Sequence, residues 1–179
     1  SVLVQCLAVA CVASLLWFAL GYSLAFSGHG AWLGDGRAFL LNHIGRTAAH
    51  PGLAIPESVF VMLQMAFAVI TPALIVGAYV ERIRFAAVLL ISGLWLLLVY
   101  APIAHWVWEP GGWLAQMGAL DFAGGSVVHV NAGIAGLVCA YALGPRKGYG
   151  REAFEPYSLA FTMMGAGLLW VGWFGFNAG

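Results

Sequence analysis

Five stretches of this sequence stay apolar for the length of a membrane helix: 2–26, 57–80, 85–107, 122–143 and 159–178. A run of about 18 or more apolar residues is what a helix needs to cross a bilayer. At about 1.5 Å of rise per residue, each run covers about 30 Å of hydrocarbon, some with tilt. Inside lipid no water is at hand for backbone N–H and C=O groups, and a helix bonds its own. The expected fold class is therefore all-α, a polytopic helical membrane protein of five spans.

Composition points the same way. Of the 179 residues, 63% are hydrophobic and 8% are charged. Soluble domains carry about 25% charged residues. The formal net charge is zero, so nothing marks a surface for nucleic acid. Cys6, Cys11 and Cys139 sit inside apolar runs without a CxxC pair, and read as small buried hydrophobes. The first run is too long for the apolar core of a signal peptide. The chain opens at Ser1 and stops at Gly179 in mid-pattern. Residues 1–179 are therefore expected to form a single partial domain of a longer polytopic protein.

The linkers hold the helix breakers. Residues 27–56 contain Gly28, Gly30, Gly34, Gly36, Pro51, Gly52 and Pro56. Glu109-Pro110-Gly111-Gly112 lies in 108–120, and 144–158 reads GPRKGYGREAFEPYS. Arg82 and Arg84 fall in one linker, and Arg146, Lys147 and Arg151 in another. The positive-inside rule puts 81–84 and 144–158 in the cytoplasm, with 27–56 and 108–120 outside. Trp106, Trp108 and Trp113 then gather at the outer boundary, as interfacial aromatics do. Pro72 and Pro102 lie within spans two and three and should kink them. Gly125, Ala132, Gly133, Ala135, Gly136 and Ala140 suit close helix packing, as do Gly172, Gly175 and Gly179.

A few polar residues stand where apolar ones are the rule. Asp121 opens the fourth run. Its carboxylate reads as an N-cap at the positive end of the helix dipole, or as an attraction for a cation. His129 lies about 12 Å further along the axis. It is either a satisfied core histidine or an intramembrane functional group. Asn131 points about 200° away from His129 and reads as an interhelical hydrogen-bonder. His105, near the outer end of span three, is expected to snorkel toward the headgroups. Trp108 is an interface anchor or a cation–π surface worth about 0.5–2 kcal/mol. Phe67 and Phe176, taken singly, are core aromatics. His29, His43 and His50 lie in the outer linker. No HExxH motif or carboxylate pair occurs, so neither metal, cofactor nor enzymatic activity is expected.

Together the motifs carry more. DFAGGSVVHVNAGIAGL from Asp121, then GPRKGYG, then GWFGFNAG resembles the ammonium transporter family, the ammonium/methylammonium permeases related to the Rhesus glycoproteins. GYSLAF at 21–26, GAYVERIRF at 77–85 and PIAHWVW at 102–108 fit the same family in the same order. The resemblance implies a homotrimer of eleven-span protomers in the lipid bilayer, each with a narrow hydrophobic pore for ammonium or ammonia. This chain resembles the second to sixth spans. By the same resemblance Trp108 is the outer cation–π wall and Phe67 and Phe176 are the stacked gate. His129 is the first of two pore histidines and relays a proton. Asp121 is the aspartate near the outer site. Leu63 stands where the outermost gate phenylalanine is usual, and Glu109-Pro110 is an insertion after Trp108. The serine that completes the outer site, the second pore histidine, the first span and the C-terminal tail fall outside this chain. The same fold could serve as an ammonium sensor signalling to a cytosolic regulatory protein, or as a channel for neutral gas.

Overall fold

The computed structural model describes residues 1–178. Its long helices are α1 (Val2–Phe26), α2 (Glu57–Tyr79), α3 (85–108), α5 (Gly125–Leu143) and α6 (Leu159–Ala178), with a short α4 (Trp113–Gln116) between α3 and α5. Five helices are long and apolar enough to cross a membrane. Among the described residues no strand occurs, only an isolated bridge between Ala49 and Pro56.

The chain divides into two units, 1–143 and 144–179. In the first, α1, α2, α3 and α5 pack as a bundle, with α1 against α3 and α2 against α5. Val9 of α1, Ile75, Val76 and Tyr79 of α2, Val88 of α3 and Ala132 of α5 form one buried cluster. A Cβ on Gly136 would lie 3.8 Å from that of Ala78, so α5 approaches α2 closely there. One on Gly133 would meet no neighbour. Cys6 and Cys139 are partly buried against the cluster, but Cys11 is exposed, against the expectation that all three are buried. It falls on a face of α1 that the bundle leaves open. In the second unit α6 begins after Ser158, whose hydroxyl accepts from the N–H of Phe161 at 3.3 Å. Gly179, one of the expected packing glycines, lies outside the described residues.

Three of the helices contain a wider π turn: Trp17–Gly21, Leu96–Tyr100 and Gly125–Val130. Such turns insert one residue into the helical register. The one in α3 runs directly into Ala101–Trp108, which carries Pro102 in its first turn. The N–H that Pro102 lacks is lost where the wider turn has already shifted the regular i→i−4 ladder. Pro72 sits inside a continuous helix, where the hydroxyl of Thr71 donates to the Phe67 carbonyl at 2.5 Å.

A second, aromatic core lies toward the tryptophan-rich end. Trp17 is fully buried, 6.0–6.2 Å from the rings of Tyr22, Phe26 and Tyr100, and its indole N–H reaches the Val61 carbonyl at 3.2 Å. Tyr22 donates to Glu57 at 2.9 Å and so ties α1 to the start of α2.

The linker that follows α1 is seated on it by polar bonds. The hydroxyls of Ser23 and Ser27 lie 2.7 and 2.6 Å from the Asp35 carbonyl. The N–H of Gly34 donates to the Leu24 carbonyl at 2.8 Å. A Cβ on Gly34 would stand 2.1 Å from the Ser23 carbonyl oxygen, so only glycine permits this approach. Gly34→Ala is expected to lower unfolding stability in micelles by about 1–3 kcal/mol, read as a drop in melting temperature.

Further along, His50 stacks on Phe60 at 3.8 Å, with Nδ1 buried and lacking a hydrogen-bond partner among the described residues. Burial pushes its pKa below the ordinary histidine value, the Glu57 charge opposing. The folded linker thus prefers the neutral ring. Its anchoring is complete above about pH 6.5 and is lost as the pH falls below that value. Hydrogen exchange over 48–57, corrected for intrinsic rates, should quicken on acidification. His50→Phe, which keeps the stack and removes the titrating group, should abolish the difference.

Candidate functional site

The site begins with how α5 starts. Gly124 adopts φ +83°, and a Cβ there would be 2.7 Å from Val128 Cγ2. This left-handed turn folds the Asp121 side chain back over the helix end. One carboxylate oxygen accepts from the N–H groups of Gly124 and Gly125 at 2.7 and 2.8 Å. The other accepts from Ser126 and Val127 at 2.8 and 2.9 Å. These are the donors that a helix leaves without intrahelical partners. A carboxylate has about four acceptor positions, and here they serve the backbone. The helix therefore starts at Gly125 and not at 122, with 122–124 given to the capping turn and Phe122 92% exposed.

The same turn fixes the aromatics. The Trp108 indole N–H donates to the Asp121 carbonyl at 2.7 Å. Its ring is half-buried and lies 5.2 Å from that of Phe67 at 65°. Phe67 is buried, and Gly124 rests against it, since a Cβ there would be 3.6 Å from Phe67 Cδ1. Phe67, Trp108 and Asp121, far apart in sequence, thus meet at one end of the bundle. Leu63, one turn before Phe67, is 49% exposed.

His129 lies on the π turn just beyond. Its N–H bonds to the Gly124 carbonyl at 3.0 Å, a reach of five residues. The side chain is on the exposed face of α5, while Val127 and Val128 are buried. Asn131 is buried, but among the described residues its amide bonds within its own helix and not, as expected, to another. Its backbone N–H turns to the Ser126 carbonyl, and its amide donates to the Val127 carbonyl at 3.1 Å. The side chain serves the wide turn of its own helix. Phe176 stands on α6 in the second unit, half-buried, its ring 5.6 Å from Trp173.

The structure also corrects His105. It does not snorkel but is 0% exposed. Nδ1 lies 2.8 Å from the Ala25 carbonyl and Nε2 2.6 Å from the Gly30 carbonyl. Around it Trp106 Nε1 donates to the Trp32 carbonyl at 2.7 Å and the Trp113 N–H to the Ala31 carbonyl at 3.0 Å. Trp32, Trp106 and Trp113 form a cluster with ring centroids 5.5–6.2 Å apart. Gln64 is a further polar residue that sequence reading did not single out. It is buried one turn before Phe67, and its Oε1 lacks a hydrogen-bond partner among the described residues. The signal available was a polar side chain within an apolar run.

The profile of the Ammonium Transporter Family matches residues 1–179. An ammonium transporter of Bacillus subtilis is 49% identical over 168 residues, which cover 94% of this chain and 41% of that protein. Ammonium transporter Amt1 of Archaeoglobus fulgidus is 46% identical over 165 residues, covering 92% of this chain and 40% of that protein. The crystal structure of Candida albicans Mep2 superposes with a TM-score of 0.87 at 39% identity, over 96% of this chain and 38% of that one. The chain thus spans about two fifths of the length of the curated relatives it matches.

The cap makes a direct prediction. Asp121→Asn replaces an acceptor oxygen by an amide NH2, which donates, so two helix-start N–H groups lose their partner. Unfolding stability in mixed micelles should fall by about 2–4 kcal/mol. An unchanged unfolding curve would mean that the carboxylate does not hold this turn.

Proposed function

The chain belongs to the ammonium transporter family, and on that premise we propose that the full-length protein carries ammonium across a membrane, with Trp108 and Phe67 at the mouth of its path. The observation that carries this reading is the Trp108–Phe67 pair at 5.2 Å, locked by the indole bond to Asp121. An indole face held in one orientation can take a small cation shed of part of its water, at about 0.5–2 kcal/mol. The mouth faces outward in this reading, since the linkers with Arg82, Arg84, Arg146, Lys147 and Arg151 lie on the cytoplasmic side.

Past the aromatics the path becomes too apolar for an ion. Ammonium gives up a proton there and continues as ammonia, with Phe67 and Phe176 as the gate. His129, exposed on α5 just beyond Gly124, lines the path and takes or relays the proton. Asp121 acts mainly by building the mouth. With both oxygens engaged by backbone N–H groups, its charge helps a cation from a distance and not as a direct ligand. A homotrimer in the bilayer and a cytosolic regulatory protein are the partners this reading implies.

The test is ammonium-dependent current or uptake by the full-length protein. Trp108→Leu should raise the half-saturating ammonium concentration about three- to thirtyfold, the range of one lost cation–π contact. His129→Ala should lower the maximal rate and change its pH dependence. Transport unchanged in both variants would overturn the residue roles.

A further inference from the structure

His105 occupies an unusual chemical position. It is fully buried, and both ring nitrogens lie at hydrogen-bond distance from backbone carbonyl oxygens, Ala25 at 2.8 Å and Gly30 at 2.6 Å. A carbonyl oxygen can only accept. Each ring nitrogen must therefore carry a hydrogen to make its bond, and a neutral imidazole has only one. The ring that satisfies both contacts is the imidazolium.

The surroundings suit a cation. Ala25 is in the last turn of α1, whose carbonyls lack intrahelical donors and form the negative end of the helix dipole. Glu109 follows one turn after His105 and is only 7% exposed. Its N–H bonds to the His105 carbonyl at 3.2 Å; burial pushes its carboxyl above the ordinary range, and charge on His105 and His29 opposes that rise. The other titratable groups around this carboxylate are His29 of the linker, 3.9 Å away and exposed, and Tyr22 of α1, which is bonded to Glu57 of α2.

We propose that His105 is held as a buried imidazolium with Glu109 as its counter-charge, and that it is the positioning residue that clamps the end of α1 and the linker at 25–30 onto the turn bearing Trp108. The ring joins three chain segments through two bonds. The Trp106 bond to Trp32 and the Trp113 bond to Ala31 continue the same seam on the outer surface. His105 stands one turn before Trp108, so loosening the clamp releases the backbone from which the indole projects. The consequence for ammonium rests on the transport reading above. The charge state of the ring does not.

The experiment uses the full-length protein with 15N-labelled histidine. At neutral pH the His105 ring should show two protonated nitrogens, and Glu109→Gln should convert it to a neutral ring with one. An unprotonated nitrogen in the unmodified protein would overturn the imidazolium, whatever the protein transports. His105→Phe keeps the shape and removes both donors. It should raise half-saturating ammonium about three- to tenfold while the maximal rate stays within about twofold. His105→Gln, whose amide offers two N–H donors, should recover part of that loss. A folded His105→Phe with unchanged half-saturation would overturn the positioning role. If His105→Phe does not fold, Glu109→Gln should give the same rise in half-saturation, and an unchanged value there would be equally fatal. If the unmodified protein moves no ammonium, the transport reading fails and the labelled ring still decides the charge state.

Discussion

The first unit turns on one carboxylate. Asp121 takes four backbone N–H groups and so creates the start of α5. Its own carbonyl takes the Trp108 indole, and the glycine that its turn requires rests against Phe67. A helix start in a low-dielectric setting is costly when its donors face no water. The aspartate removes that cost and positions two aromatic rings as it does so. The aromatic pair and the first turns of α5 follow from where this carboxylate is placed.

The same constraint recurs at the other helix ends near this mouth. A helix that stops at a membrane boundary leaves carbonyls or N–H groups that need partners. Water serves most such ends in soluble proteins. Here side chains do it: the His105 ring at the Ala25 carbonyl and the Ser27 hydroxyl at the Ser23 carbonyl, both in the last turn of α1. Each bond that completes a helix end also seats a linker. The mouth is thus assembled from backbone groups that had to be satisfied in any case, and the tryptophans are carried along by them.

Much of this was legible in sequence, for identifiable reasons. The spans showed because lipid demands unbroken apolar runs. Asp121 showed as a cap because an acidic residue before Gly-Gly at the head of such a run has few other uses. Trp108 was legible as an interface anchor or a cation–π surface, while Phe67 became a candidate only through the family resemblance, since a single aromatic within a span carries no positional signal in a chain this apolar. His105 was misread as a snorkelling residue. Its partners are carbonyls 75 and 80 residues away, and no local pattern announces a bond to the main chain. The π turns were invisible for a related reason. When nearly every position is apolar, a one-residue change of register leaves no break in the hydrophobic pattern.

That hidden register matters most at His129. Counting regular turns from Asp121 sets the depth of this residue but not the path of the chain that brings it there. In the structure the N–H of His129 reaches back to Gly124, and the N–H of Asn131 to Ser126. The Val127 carbonyl receives the Asn131 amide. Asn131 therefore belongs to the π turn as a support, which explains why a polar side chain tolerates burial there without a partner on another helix. Val127 and Val128 go to the core and His129 to the open face. The turn built by Asp121, the wide helical register after it and the asparagine that closes that register are one continuous device, with the histidine at its far end.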